Sequence, residues 1–393
     1  MANLKKYFTD LHIHVGSADD SPVKITASRQ LTVRTILQKA VRDKGIDVVG
    51  IIDCLSPPVR KELKRLQQEN ILKPVKNGGY LTEKGTLLIP GAELESREAD
   101  GRKAHYLAYF PDLQKLEKLA GELEDKITNL SLSSQTCYLS GSEILNLVQE
   151  YKGILIPAHI FTPHCSFYGF ACSGYEEIFS REEWSQIPAV ELGLSADRYL
   201  AGMLTELDSK TLLSNSDAHS LPKLAREYNL LAMKAKNFTA FKAALNGSCG
   251  RVVKNFGLDP GLGKYHRSYC PECEEKFTLS GPVLQCPECG KEDIIVGVKD
   301  RIMQIADRKE GTAGEDKEYI HQVPLLDIPG LGPATLRRLQ EKLGTEMEII
   351  HESSRQDIAS IAGENIAEKI VASRRGKLKV VPGGGGEYGR VKC

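Results

Sequence analysis

From residue 1 to about 250, short runs of almost uninterrupted apolar residues alternate with longer segments whose apolar positions recur every three or four residues. The runs Tyr7–Val15, Asp47–Asp53, Leu87–Glu93, Ala104–Phe110, Ile154–His159, Ala189–Leu192 and Leu212–Ser216 have strand length and end at turn residues. Val33–Asp43, Arg60–Asn70, Gly141–Tyr151 and Phe238–Asn246 carry the helical period. Strands that are apolar on both faces and alternate with helices predict a parallel sheet covered by helices. About seven such units, without a nucleotide-binding glycine fingerprint, predict an α/β fold closed or nearly closed into a β/α barrel.

After about residue 250 the repetition stops. Gly-, Pro- and Cys-rich turns fill 251–300 and predict a small separate module. Residues 301–320, rich in Lys, Glu, Asp and Gly, predict a helix start followed by a solvated linker. A helical pattern with turn glycines returns over 321–376, and 377–393, with Val381-Pro-Gly-Gly-Gly-Gly-Glu-Tyr-Gly, predicts a flexible tail. A length of 393 residues divided in this way fits two or three domains.

Composition narrows the classes. At 41% hydrophobic and 26% charged the chain is an ordinary globular one. With 52 basic and 52 acidic residues, a uniformly basic surface is excluded, while local basic patches remain open. No apolar run approaches the ~18 residues of a membrane span, and Met1-Ala-Asn-Leu-Lys-Lys enters a strand without an apolar signal core. The expectation is a cytoplasmic, nucleoid-associated protein without a membrane partner. Six of the ten Cys, including Cys54, Cys165 and Cys393, form no framework, which suits a reducing compartment.

The polar residues of the first 250 sit at the ends of the apolar runs, which is where β/α barrels carry their chemistry. In Asp10-Leu11-His12-Ile13-His14, positions i and i+2 of a strand point to one face, so two imidazoles can share one metal centre. Asp217 and His219, in Asn215-Ser216-Asp217-Ala218-His219, repeat the spacing. With Asp19, Asp53, Glu93, His105 and His159 they give an imidazole–carboxylate set suited to Zn, Mn or Fe, in a cluster of two or three ions. Of these, His12, His14, Glu93, Asp217 and His219 are the expected catalytic core. A lone His at a strand end is commonly a hydrogen-bonded structural residue, and it is the co-occurrence that favours a metal site. His164 is either a substrate contact or a loop residue. The segment His164–Tyr175, with Phe167, Tyr168, Phe170 and Tyr175, is either a pocket that stacks on an extruded base or a loop-packing cluster.

Cys270-Pro-Glu-Cys273 and Cys286-Pro-Glu-Cys289-Gly, twelve residues apart, have the spacing of a closed four-cysteine zinc site, structural rather than catalytic. A redox dithiol is the alternative, and two matched knuckles argue against it. Leu326-Asp-Ile-Pro-Gly330-Leu-Gly332-Pro-Ala-Thr-Leu-Arg337-Arg338 resembles a helix–hairpin–helix motif, with a weaker copy around Gly363 and Lys369. Glycines there expose backbone N–H groups at a helix N-terminus, which grip phosphate without reading sequence. The alternative is a packing domain with glycine caps.

His12-Ile-His14, Glu93, His159 and Asp217-Ala-His219 resemble the motifs of the PHP (polymerase and histidinol phosphatase) family. That resemblance implies a distorted seven-stranded β/α barrel with a trinuclear metal centre that hydrolyses phosphoesters. The family's second segment usually ends in a His, and here Cys54 stands at that place, so either Asp53 or Cys54 substitutes as ligand or one metal is held more weakly. Barrel, zinc module and hairpins in this order resemble the endonuclease Q family of DNA-repair nucleases. This implies nicking of double- or single-stranded DNA 5′ of deoxyuridine, deoxyinosine, xanthine or abasic sites, with two or three catalytic Zn2+, Mn2+ or Mg2+ ions and a sliding clamp among possible partners. A small-molecule phosphatase of the histidinol-phosphatase kind and a non-catalytic DNA-binding scaffold are the rivals. The appendages argue against the first and the intact ligand set against the second.

Overall fold

The computed structural model describes residues 4–277, 281–312, 318–383 and 386–392. In chain order the strands and helices used below are β1 (Lys5–Ile13), α1 (Val33–Lys39), β2 (Val48–Ile51), α2 (Pro57–Gln68), β3 (Leu87–Glu95), β4 (His105–Tyr109), α3 (Gly141–Glu150), β5 (Ile154–Pro157), β6 (Ala189–Glu191) and β7 (Thr211–Leu213). They continue with β8 (Tyr228–Met233), α4 (Phe238–Leu245), β9 (Arg251–Gly257), α5 (Val298–Ile305), β10 (Glu318–His321), α6 (Pro333–Leu343), α7 (Glu346–His351), α8 (Arg355–Ala362) and α9 (Glu364–Arg374).

The sheet is mixed, which corrects the expectation of a parallel one. Its central order is β10-β9-β8-β1-β2-β3, with β4 paired to β3 and β5 paired to β4. The β1–β2 and β2–β3 pairs are parallel, whereas β1–β8, β8–β9, β3–β4 and β4–β5 are antiparallel. The reason is connection length. Only about nine residues separate β3 from β4, too few for the crossover that a parallel pair needs, so they form a hairpin. β6 and β7 pair parallel to one another. Backbone bonds run on from Ile160 N–H to Glu191 O (2.9 Å) and from His14 N–H to Ala218 O (3.2 Å), which brings the β5, β6, β7 and β1 ends around one mouth.

Alternation along the strands places the chemistry. Leu87 and Ile89, Leu107 and Tyr109, Ile154 and Ile156, Ala189, and Leu213 belong to one apolar cluster on one side of the strands. Leu88, Leu94, Tyr106, Ala108, Leu155, Val190 and Leu212 belong to the outer core beneath the helices. Continuing the inward parity reaches Glu93 on β3, His105 on β4, Glu191 on β6 and Asn215 after β7. Each inward stripe therefore changes from apolar to polar toward the same mouth. Because β4 runs antiparallel, its first residue, His105, reaches that mouth, so not every ligand stands at a strand C-terminus.

The domain edges also differ from the pattern reading. β9 lies after residue 250 and β10 within 301–320, and both extend the main sheet, so neither segment is merely a module or a linker. The cysteine knuckles are tied to α5 by the fully buried Asp300, whose carboxylate accepts the Ser268 and Val283 N–H groups and both arms of Arg267. Helices α6 to α9 dock on the strand body through the buried Lys44–Glu346 ion pair (2.9 Å) and through His351, which stacks on Phe8. The described part of the tail is not a free extension: Val380–Val381 and Arg390–Val391 form a hairpin, with Val391 buried. Among the described residues no helix is long and apolar enough to cross a membrane.

Candidate metal centre and nucleic-acid interface

His12 and His14 project from the end of β1 with their Nε2 atoms 3.4 Å apart. Glu93 Oε1 lies 3.5 Å from His12 Nε2 and from His159 Nε2, and 3.1 Å from His105 Nδ1. Asp217 Oδ1 lies 3.4 Å from the Nε2 atoms of both His12 and His14 and from His219 Nδ1. Three overlapping donor triplets result around these atoms, His12–His14–Glu93, His14–Asp217–His219 and Glu93–His105–His159, and a fourth, Glu95–His105–Cys165, adjoins them at His105. Most of these separations are too long for good hydrogen bonds. They are what donors facing a shared cation show.

Partners on the far side of the rings fix the imidazoles. His12 Nδ1 lies 3.0 Å from both oxygens of Glu191, and His14 Nδ1 lies 3.2 Å from both oxygens of Asp53. His219 Nδ1 faces the Asp217 carbonyl at 3.0 Å. With Nδ1 donating, each Nε2 lone pair is left for a metal. Among the described residues the buried Nδ1 atom of His159 has no hydrogen-bond partner. Burial alone would lower His12, yet the Glu191 and Asp217 carboxylates hold it well above its ordinary value. Burial likewise opposes ionisation of Glu93, but Lys24 and His105 keep it well below the usual carboxylate range. An anionic, imidazole-rich set of this kind is chemically suited to borderline divalent ions.

The backbone is strained where ligands are presented. His159 (φ +29°) and Asp217 (φ +44°) both occupy the left-handed side, which non-glycine residues enter when the surrounding structure enforces it. Beside His159 the chain needs Gly193, because a Cβ there would lie 2.9 Å from the His159 Cβ.

Two expected ligands are placed elsewhere. Asp19 pairs with Lys61 (2.5 Å) and Arg65 (3.9 Å) and belongs to none of the three triplets. Asp53 stands behind His14, bonded to its Nδ1, to the Val15 N–H (2.6 Å) and to Ser133. Cys54 does not substitute either. Its thiol is fully buried, donates to the Ile51 carbonyl, and is pushed up to about 12 by that burial. Glu191, Lys24 and Ser134 were not found from the sequence. Glu191 had a usable signal in the inward parity from Ala189. Lys24, whose Nζ is 3.1 Å from Glu93 Oε2, and Ser134 arrive from loops and had none.

The centre opens into a cleft of about 530 Å³ lined by His159, Asp217 and His219, by Lys223, Arg226 and Lys264, and by His164, Tyr265 and Tyr388. Lys223, Arg226 and Tyr388 also line an adjoining cavity that reaches Asp327 and Pro329 at the first hairpin. The aromatic segment divides. Phe167 and Tyr175 stack on Trp184 at 5.4 and 5.2 Å, and Tyr168 is fully buried against Phe161, so these three are packing residues. Phe170 is exposed, and only His164 of the group faces the cleft, edge-on to Tyr265.

At the knuckles Cys270 and Cys289, and Cys273 and Cys286, have Sγ atoms 3.8 Å apart. A tetrahedron with bonds of about 2.3 Å has edges of about 3.8 Å. The four thiols therefore match a tetrahedral metal site, and the spacing is far too long for a disulfide. In the helical part, Gly332 and Gly363 precede α6 and α9 without a side-chain cap, so the first N–H groups of both helices are uncapped. Arg337 and Arg338 are exposed, whereas Lys369 binds the Pro329 carbonyl (3.1 Å) and ties α9 to the turn before α6.

An α/β fold that gathers three shared-ligand triplets at one mouth fits a metal-dependent phosphoesterase. No family model matches the chain. It is 41% identical to the uncharacterized protein YqxK of Bacillus subtilis (strain 168) over 393 residues, 99% of this chain and 100% of that one. It is 31% identical to the lesion-specific endonuclease PfuEndoQ of Pyrococcus furiosus, with a TM-score of 0.83 over 99% of this chain and 95% of that one. The same identity and TM-score hold for an endonuclease Q complex with a 27-mer duplex carrying an abasic lesion at the active site, covering 99% and 96% of the two chains. The chain belongs to the endonuclease Q family.

Proposed function

We propose that this chain is a DNA-repair endonuclease that hydrolyses the phosphodiester 5′ of a deaminated or missing base: deoxyuridine, deoxyinosine, xanthine or an abasic site. The observation that carries the reading is the sharing of His14 and Glu93 among three donor triplets at the floor of a cleft with a cationic rim. The relative crystallised with an abasic duplex supports DNA as the substrate. In this reading the strands β1 to β7 close as a distorted seven-stranded barrel, and α6 to α9 are the helix–hairpin–helix unit. The four cysteines hold a structural zinc ion.

His12, His14, Glu93, His105, His159, Asp217 and His219 would hold two or three divalent ions, Zn2+, Mn2+ or Mg2+. Such ions, when bound, acidify a water and neutralise charge on the phosphate. The protein's own work is placement. Glu191 and Asp53 hold the His12 and His14 rings in one tautomer. Arg226 is anchored by the Ser216 carbonyl (2.7 Å) and, with Lys223 and Lys264, draws the DNA backbone across the rim. Tyr265, Tyr388 and His164 offer ring faces to an extruded nucleotide. The uncapped N-termini of α6 and α9 grip phosphates further along the duplex.

The test is incubation of labelled uracil-, hypoxanthine- and abasic-site duplexes, beside undamaged DNA, with Mn2+, Mg2+ or Zn2+. A single nick 5′ of the lesion, leaving a 3′-hydroxyl, is expected, with none on undamaged DNA. Asp217→Ala should abolish the nick while retaining duplex affinity. Hydrolysis of histidinol phosphate without any DNA nicking would replace the reading with a small-molecule phosphatase.

A further inference from the structure

Behind Glu191 runs a file of buried polar side chains that leads away from the metal centre to a single cation. Arg198 Nη2 donates to Asn255 Oδ1 (2.9 Å), Asn255 Nδ2 to Asn229 Oδ1 (2.9 Å), Asn229 Nδ2 to Asn215 Oδ1 (3.1 Å), and Asn215 Nδ2 to Glu191 Oε1 (2.8 Å). Glu191 then receives His12 Nδ1. Arg198 is 6% exposed and every other member 1% or less.

The direction of the file is locked at each link by groups that can act in one sense only. A guanidinium only donates, so Asn255 presents its oxygen to Arg198. Asn255 Nδ2 also donates to the Leu212 carbonyl. Asn229 Oδ1 accepts the Ser214 N–H and its Nδ2 donates to the Ser214 carbonyl. Asn215 Oδ1 accepts the Leu11 N–H, which leaves its Nδ2 for the carboxylate. No amide can flip without breaking a backbone bond, and all three dipoles point the same way, positive toward Glu191.

Cost argues for use. Among the described residues Arg198 has no carboxylate partner, and its Nε is buried without a hydrogen bond. A lone buried guanidinium is expensive, and an apolar side chain there would pack more cheaply. We propose that Arg198, Asn255, Asn229 and Asn215 are positioning residues for the metal centre: a one-way chain of amide dipoles, headed by a cation, that fixes the Glu191 carboxylate and through it the orientation and tautomer of His12. Aligned bonds of this kind polarise one another, and a partner behind a ligating imidazole sets metal affinity. The inference rests on the metal reading of His12 given above.

The test counts metal retained per chain by the full-length protein against graded chelator concentrations, together with melting temperature. The four-cysteine ion serves as the internal reference. Arg198→Gln keeps a donor and removes the charge, Arg198→Lys restores the charge, and Asn229→Leu cuts the file at similar volume. Arg198→Gln should weaken retention at the His/carboxylate centre by roughly tenfold, within the range for outer partners of metal ligands. Asn229→Leu should weaken it at least as much, and Arg198→Lys should recover most of it, with the cysteine-held ion unchanged throughout. Should Asn229→Leu fail to fold, the two Arg198 variants decide. Wild-type retention in Arg198→Gln, whatever its melting temperature, would overturn the proposal and leave a structural network. Loss of all but the cysteine-held ion in the wild-type protein itself would instead overturn the metal reading.

Discussion

The His14 imidazole and the Asp53 carboxylate meet edge to edge, Nδ1 lying 3.2 Å from both carboxylate oxygens, with neither side chain more than 1% exposed. Asp53 thus does its work behind the ligand, and Cys54, its neighbour, points away into the core. Asp53→Asn should therefore weaken metal retention by roughly ten- to a hundredfold and lower cleavage with it, while Cys54→Ser changes neither. Elemental analysis after dialysis checks both. A large loss of metal in Cys54→Ser would restore the thiol as a ligand.

Among the described residues the cysteine knuckles enclose a small apolar cluster, chiefly Phe277 and Val283 beside Cys270 and Cys286. A unit this small depends on its ion. Cys286→Ser is expected to release about one zinc per chain and to open residues 266–296 to protease. Unchanged zinc content would rule out the four-cysteine assignment.

Gly330 and Gly332 separate two effects that a single glycine substitution would confound. Gly330 has φ +91°, so a β-branched residue strains the turn there. Gly332 has φ −87° and open space at its Cβ position, so Gly332→Val costs the fold little and crowds only an approaching phosphate. Gly332→Val should keep the wild-type melting temperature, weaken duplex binding and flatten its salt dependence; Gly330→Val should lower the melting temperature as well. Affinity measured across a salt series is the check. Wild-type affinity and slope in Gly332→Val would remove this hairpin from the DNA grip.

His351 supplies a pH dependence. Its ring stacks on Phe8 and meets Phe256 edge-on, both at 4.8 Å, and bonds the Tyr228 hydroxyl at 2.7 Å; burial first, then Arg374 and Lys254, pull it down to about 4. A depressed folded value means that the unfolded chain, with its ordinary value near 6.5, binds more protons between those limits. The contribution is complete above about pH 6.5 and is lost as pH falls toward 4, amounting to at most about 3 kcal/mol. Urea unfolding at pH 7.5 and pH 5 should show a smaller difference in His351→Phe than in the wild type. Equal differences in the two proteins would refute the assignment.

The sequence alone pointed to most of the residues that gather at the candidate centre and to roughly where the strands run, because both signals are local. A strand's parity follows from two-residue alternation, so His12 with His14, Glu93, His105, and Asp217 with His219 were legible from spacing. The cysteine knuckles were legible for the same reason, as were the turn glycines. Tertiary structure decided what depends on which strand lies beside which. Asp53 and Asp19 are equally acidic in sequence, yet one is brought behind His14 and the other is turned out to Lys61. Phe167 and Tyr175 look the same as base-stacking aromatics until Trp184 arrives from another helix and stacks on both. Lys24, Glu191 and the asparagine file gain their meaning only from partners up to some two hundred residues away, such as Leu11 for Asn215. Local pattern fixes a side chain's face, but burial and partners are set by the whole packing, and that is where a ligand is told apart from its support.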